Sequence, residues 1–249
     1  FHIVGNSTLT NISALSNLNS IGSYLKLSSN VLLTNLNGLS GLTSLTSLTI
    51  SGNTALSNLD GLNNIKNITE DLVINANASI TNIDFLNNLT TTFIKKIGVY
   101  NNSSLLNING LNKITKTNEL NISQNTILTN LTGIDNLTSI GTIGTSYQSG
   151  VVLYIANNNS LNSIQALNNM TYCWGTIQIS YNSQLVSLNG LNNLSSIGND
   201  LNIYNNVQLR NFCSLQTLMN NTVLSNFYSA MNNYYNPTKA NITSGNCSI

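Results

Sequence analysis

An all-β solenoid is the fold class this chain predicts, on three observations: a repeat of about 24 residues, an asparagine at one place in every copy, and a charged content of only 6%. Taking Leu48 as position 0 of a copy, apolar residues fall at positions 0 and 2 (Leu48 and Ile50), a spacing that turns both to one face of a strand. They recur at positions 8, 11, 14, 17 and 20 (Leu56, Leu59, Leu62, Ile65 and Ile68). A three-residue step fits neither a strand nor the paired i+3 and i+4 contacts of an amphipathic helix. It fits a coil whose turns each push one side chain inward.

The same frame starts at Phe1, Leu25, Leu48, Leu72, Ile97, Leu120, Leu153, Ile177 and Leu201, which predicts nine coils in one repeat domain over residues 1–218. Stacked repeats share one continuous core, so 249 residues need not divide into two domains. Position 5 is asparagine in all nine copies: Asn6, Asn30, Asn53, Asn77, Asn102, Asn125, Asn158, Asn182 and Asn206. Asparagine is 50 of the 249 residues, too few for nine matches in nine to be coincidence. Such a column reads as a structural ladder, each amide bonding backbone groups of its own and the neighbouring coil where the chain leaves the strand.

Two places break the rhythm. The step from Leu120 to Leu153 is 33 residues and places a glycine-rich loop near Gly141 to Gly150. After Leu218 the frame dissolves, and residues 219–249 read as a C-terminal cap over the last coil. Within the cap Asn236 and Pro237 are expected to start a short helix and Gly245 to stop it. Phe227, Tyr228, Tyr234 and Tyr235 supply its apolar surface.

The pattern L-x-I-x-x-N-x-x-L-x-x-L, as in Leu201, Ile203, Asn206 and Leu209, resembles the receptor L-domain, a relative of the leucine-rich repeat. That resemblance implies a right-handed β-helix. The chain is also similar to secreted bacterial surface proteins whose many coils end in a cap with C-x-x-L, N-P-T and G-x-C motifs. The matching residues are Cys213, Leu215 (one residue nearer than that spacing), Asn236, Pro237, Thr238, Gly245 and Cys247. Cys213 and Cys247 bracket the cap, and a disulfide between them is expected to close it. Cys173, at inward position 20, reads as a buried free thiol.

Composition and motifs argue against catalysis, so no enzyme activity and no cofactor are expected. The single histidine, seven carboxylates and three cysteines offer few acid, base or nucleophile combinations, and no metal site assembles around His2. The sharpest pair is Asp60 and Asp84, both at position 12 on adjacent coils, whose stacking would set them about 5 Å apart, the separation a retaining glycosidase uses. Other copies carry Asn37, Asn109 and Asn189 there, so a solvated turn accounts for the position better. Phosphate-binding glycine loops and calcium-binding nonapeptides are missing. Eight basic residues against seven acidic ones form no stripe for nucleic acid, and no apolar run is long enough for membrane insertion.

A binding role has more support. Outward strand positions form a flat face that holds four of the ten tyrosines, Tyr24, Tyr100, Tyr154 and Tyr204, and tyrosine suits contact with protein or carbohydrate. Sixteen N-x-S/T sequons occur where 50 asparagines and 57 Ser or Thr residues in 249 give about 11 by chance. Asn67, Asn88, Asn136, Asn169, Asn193 and Asn241 are expected to be exposed glycosylation candidates, whereas the ladder sequons at Asn6, Asn77, Asn102 and Asn158 are expected to be unreachable. The expectation is therefore a non-enzymatic, extracellular cell-surface solenoid for adhesion, recognition or scaffolding. The alternative is a filament or matrix subunit stacked head to tail, because Ile12, Leu15, Leu18 and Ile21 of the first coil lack a cover unless residues precede Phe1.

Overall fold

A computed structural model of the chain describes residues 1–142, 150–221 and 228–249. It is a largely parallel β structure, built around a 13-stranded sheet with few short helices, and it is solenoid-like. The ladder of pairs is set by the repeat: Leu25 lies beside Leu48, Leu48 beside Leu72, Leu72 beside Ile97, and Ile97 beside Leu120. Leu120 then pairs with Leu153, Leu153 with Ile177, and Ile177 with Leu201. The long step thus leaves Leu153 in register with Leu120 and Ile177, with one irregularity just before it, between Val151 and Leu153. Most of the glycine-rich loop it was read to contain, residues 143–149, lies outside the described residues.

Alternation does the local work. In the strand Leu201–Tyr204, Leu201 and Ile203 are fully buried while Asn202 and Tyr204 are half-buried on the outer face. Each strand ends at position 4, where the backbone turns left-handed in every copy. That position is Gly5 at φ 72°, Ser29 at 57°, Gly52 at 67°, Ala76 at 55° and Gln124 at 57°, with Asn101, Asn157, Tyr181 and Asn205 also at 57°. Most of these residues carry a Cβ, which costs about 1–2 kcal/mol apiece in that region. The turn aims the following asparagine into the stack.

There the asparagines interlock. Asn53 Oδ1 accepts from the backbone N–H and from Nδ2 of Asn30, at 3.0 and 3.2 Å, and Asn53 Nδ2 donates to the Leu27 carbonyl at 3.0 Å. The same geometry runs from Asn77 through Asn206. Eight of the nine are fully buried. Asn6 departs from the expectation: it is exposed, because no described strand lies outside the first one.

Beyond position 5 the three-residue step has a direct cause. Leu56 N–H bonds the Asn53 carbonyl, Leu62 N–H the Leu59 carbonyl, and Ile65 N–H the Leu62 carbonyl, at 3.1, 2.9 and 3.0 Å. Successive i-to-i−3 turns deliver one apolar side chain each to the interior. Short 3₁₀ helices such as Asn37–Leu39, Asp60–Leu62 and Asn109–Leu111 occupy positions 12 to 14. Adjacent turns approach so closely that a Cβ on Gly61 would lie 1.9 Å from the Leu36 carbonyl oxygen.

The C-terminal segment continues the pattern further than its sequence indicates. The strand Tyr228–Met231 pairs in parallel with Leu201–Tyr204, Asn232 takes the left-handed turn at φ 56°, and Asn233 Oδ1 receives Asn206 N–H and Nδ2 at 3.0 and 3.1 Å. The frame is therefore resumed after Leu218 rather than lost. Asn236 Oδ1 then accepts from Asn233 N–H and Nδ2, both at 3.0 Å, and so stands in for the next rung. The helix Lys239–Thr243 begins two residues later than expected, since its N-cap is Thr238, whose side chain and that of Asn241 form a reciprocal capping box. Asn236 is occupied with the ladder instead. Tyr228 and Tyr235 pack on the core, but Tyr234 is 61% exposed beneath the Arg210 guanidinium and covers nothing; Phe227 lies outside the described residues. A disulfide joins Cys213 and Cys247 across 34 residues, a closure that stabilises by about 4 kcal/mol in the chain-entropy treatment.

These contacts set expected costs in denaturant unfolding. Leu128→Ala, at a fully buried site, is expected to lose about 2–5 kcal/mol. Asn125→Ala or Asn182→Ala is expected to lose about 1–3 kcal/mol by leaving buried backbone groups unpaired. Thr129→Ala, on the exposed side of the same repeat, is expected to change little. Equal midpoints for all four variants would contradict the inward assignments.

Candidate functional site

The outer face of the main sheet carries the four tyrosines, but it does not bring all of them together. Tyr154 and Tyr204 lie on strands that flank Thr176–Ser180, and this middle strand supplies Gln178 between them. Gln178 Nε2 donates to the Tyr204 hydroxyl and, at 3.2 Å, to Ser180 Oγ. Tyr181, which was not on the expected set, meets Tyr204 edge to face with ring centroids 5.7 Å apart. Burial and the neighbouring Tyr204 and Tyr181 hydroxyls push the Tyr154 phenol up. One aromatic and amide patch therefore spans three adjacent strands.

Tyr100 and Tyr24 stand apart from it. Tyr100 lies over Gly98, where a Cβ would come within 3.0 Å of its ring. Tyr24 bonds His2 Nε2 through its hydroxyl and borders a polar groove of about 420 Å³ that also involves Lys26, Thr49 and Asp71. With strands about 4.8 Å apart, seven steps separate the strands of Tyr24 and Tyr204 by roughly 34 Å, too far for one small ligand. Between them the face is crossed by two exposed ion pairs, Lys95 with Glu70 and Lys96 with Glu119, each at 2.7 Å. Exposed pairs of this kind contribute about 0–1 kcal/mol.

Asp60 and Asp84 are exposed at the first residue of their 3₁₀ turns. Their backbone N–H groups bond Asn58 and Asn82 side chains at 3.3 and 3.1 Å, an arrangement that belongs to the turn. The same position-10 contact recurs from Asn11 to Ser13, Asn35 to Asn37, Asn107 to Asn109, Asn130 to Thr132 and Asn211 to Cys213. Sequence reading missed this second asparagine column, although position 10 shows it in seven of the nine copies.

A third column bears on glycosylation. Asn88, Asn136, Asn169 and Asn193 are exposed at position 16. Their Nδ2 atoms donate to carbonyls of the preceding repeat, Asn63, Asn112, Asp135 and Asn168, at 2.9, 2.7, 2.7 and 2.7 Å. Each amide keeps a second hydrogen outside that bond. Asn67 is half-buried and accepts from Thr90 Oγ1 at 3.1 Å; Asn241 is half-buried in the cap, accepting from Thr238 N–H and Oγ1. Of the ladder sequons, Asn77, Asn102 and Asn158 are enclosed, while Asn6 is reachable, a correction that follows from its place on the outermost strand.

Among the described residues no group of three or more His, Cys, Asp and Glu side chains converges on a metal-sized site, and no helix is long and apolar enough to cross a membrane. No protein-family model matches this chain, and no curated protein matches it in sequence.

Cys173 is fully buried, and burial pushes its thiol up to about 12. Its folded value exceeds its unfolded one, so the associated stability is intact below about pH 9 and declines between about 9 and 12 by up to ~1.4 kcal/mol per pH unit. Iodoacetamide at pH 8 is accordingly expected to leave Cys173 unmodified in the native protein and to label it in denaturant. Rapid native labelling, read by peptide mass, would place the thiol at the surface.

Proposed function

We propose that the chain is a right-handed solenoid of receptor L-domain type that acts, without catalysis, as an extracellular recognition or adhesion module at a cell surface. The observation that carries this reading is the patch of Tyr154, Gln178, Tyr181 and Tyr204 on the sheet face. Its rings are rigid and amphipathic, its polar atoms are neutral, and its platform lies on paired strands, features that suit a carbohydrate or protein ligand rather than a reacting one. Surface solubility from neutral asparagine, serine and threonine supports an exposed setting.

Binding of the purified protein to cell-surface glycans and proteins tests the reading. Tyr154→Ala and Tyr204→Ala are each expected to weaken binding by about tenfold or more, in the 1–2 kcal/mol range of an aromatic contact, while Tyr24→Ala leaves it unchanged. Unaltered binding by both patch variants would overturn the assignment.

The secretory setting has its own test. Peptide mapping of natively sourced protein is expected to find glycans among Asn67, Asn88, Asn136, Asn169, Asn193 and Asn241. A glycan on Asn77, Asn102 or Asn158, all fully buried, would be incompatible with the ladder.

A second reading, a filament or matrix subunit, draws on the half-buried Leu15, Leu18 and Ile21 of the first repeat, which with Leu9 pack against the core from one side; Ile12, expected to lack a cover with them, is buried. A second molecule, or further repeats of a longer chain, would complete that packing. Light scattering of the native protein separates the two: the recognition module runs as a monomer and the subunit as a concentration-dependent series.

A further inference from the structure

A side branch of the main sheet carries a second surface feature that the tyrosine patch does not use. Four of its residues follow one another in register across successive repeats: Phe93 pairs with Lys116, Lys116 with Ser139, and Ser139 with Tyr172. Two residues beyond Tyr172, Trp174 lies parallel to it, with ring centroids 5.8 Å apart and an interplanar angle of 8°. Phe93, Lys116, Asn118, Ser139 and Trp174 border a groove of about 550 Å³. Phe93 is 41% exposed and Tyr172 44%, and neither is needed to close the core.

Two glycines explain why the indole remains open. In a stacked sheet the residues above and below in the same column normally cover a side chain, since strands lie about 4.8 Å apart. Here those residues are Gly141 and Gly198. A Cβ on Gly141 would come within 2.8 Å of the Trp174 Cβ, and one on Gly198 within 2.6 Å of the Trp174 backbone. Gly141 leaves room for the Trp174 side chain and Gly198 for the close approach of the backbone, and because neither carries a side chain the half-buried indole keeps a surface on the groove.

The charge of the groove is equally specific. Among the described residues Lys116 is the only charged one that borders it, and it forms no ion pair with a described carboxylate, whereas Lys95 and Lys96 are committed to Glu70 and Glu119. A polyanion such as nucleic acid would call for a row of cations. One ammonium suits one carboxylate. Two strand steps, about 10 Å, separate Lys116 from Tyr172, within reach of the lysine stem and a sugar ring together.

We propose that this groove binds an acidic polysaccharide through a single hexuronate residue. The C–H face of the pyranose lies on Trp174, which Tyr172 holds by stacking beside it, its carboxylate meets the Lys116 ammonium, and Asn118 and Ser139 bond its hydroxyls. The site is separate from the tyrosine patch and does not depend on it.

Trp174 is the only tryptophan of the chain, so its emission reports on the groove directly. Trisaccharides of galacturonate, guluronate and mannuronate, and neutral galactose trisaccharide, are titrated against the whole protein. At least one uronate is expected to shift the emission and protect it from acrylamide, with at least tenfold tighter binding than the neutral sugar and weakening as salt rises. Lys116→Gln is expected to erase that preference, and Tyr172→Ala to weaken binding by fivefold or more; both side chains are exposed, and circular dichroism checks that the fold is retained. Tyr154→Ala is expected to leave the titration unchanged, which separates this site from the sheet-face reading. Three results would overturn the proposal: no response to any uronate at millimolar concentration, equal affinity for the neutral trisaccharide, or an unchanged preference in Lys116→Gln.

Discussion

The buried amide ladder is the interaction on which the rest of this structure depends. Each parallel strand must end with its backbone turning across the stack, and a turn taken inside a protein leaves N–H and C=O groups that water cannot reach. The asparagine after the turn satisfies both kinds at once, donating to a strand carbonyl of the preceding repeat and accepting an N–H from that repeat's own asparagine, as Asn77 does with Ile50 and Asn53, while its own N–H goes to Asn102 of the following repeat. Because every rung holds its neighbour, the left-handed residue before it is tolerated even where it is Ala76 or Gln124. The strain is local and the compensation is shared between repeats.

That shared accounting extends to the outside. Position 10 accepts the first backbone N–H of the 3₁₀ turns, position 16 bonds the carbonyls of the preceding repeat, and threonines at position 18 add hydroxyl contacts, such as Thr138 to Thr115 at 3.0 Å and Thr171 to Thr138 at 3.2 Å. A chain with 50 asparagines is thereby explained without recourse to low complexity: amides serve in separate columns with separate partners. Neutral groups suit this work because columns place identical residues about 4.8 Å apart, where like charges would repel. Within the sheet, charges that meet in one column alternate in sign, as with Asp71, Lys96 and Glu119 in neighbouring strands, whereas the like pair Asp60 and Asp84 lies at exposed turns.

The same spacing rule governs the surface features with chemical content. Side chains from different repeats meet only where the columns allow it, so an aromatic patch forms at Tyr154, Tyr181 and Tyr204, and an open indole survives at Trp174 between two glycines. Both are departures from the repeat. A surface that followed the consensus everywhere would be a uniform field of amides and hydroxyls, with nothing to distinguish one ligand from another.

The sequence by itself determined the inward positions, the strand at positions 0 to 2, the three-residue turns and the ladder, because all of these arise from contacts within one repeat or between identical positions of adjacent ones. Nine copies of the same local pattern then reinforce one register. Only the tertiary structure decided matters that join different positions or interrupt the period. It placed Tyr181, whose own position is a turn, against Tyr204 on the next strand. It recruited Tyr228–Met231 and Asn233 to extend the sheet after an irregular step, and used Asn236 to end the ladder instead of to start a helix. It left Asn6 open, because burial of a rung requires a neighbour on each side, and that is a property of the stack rather than of the residue.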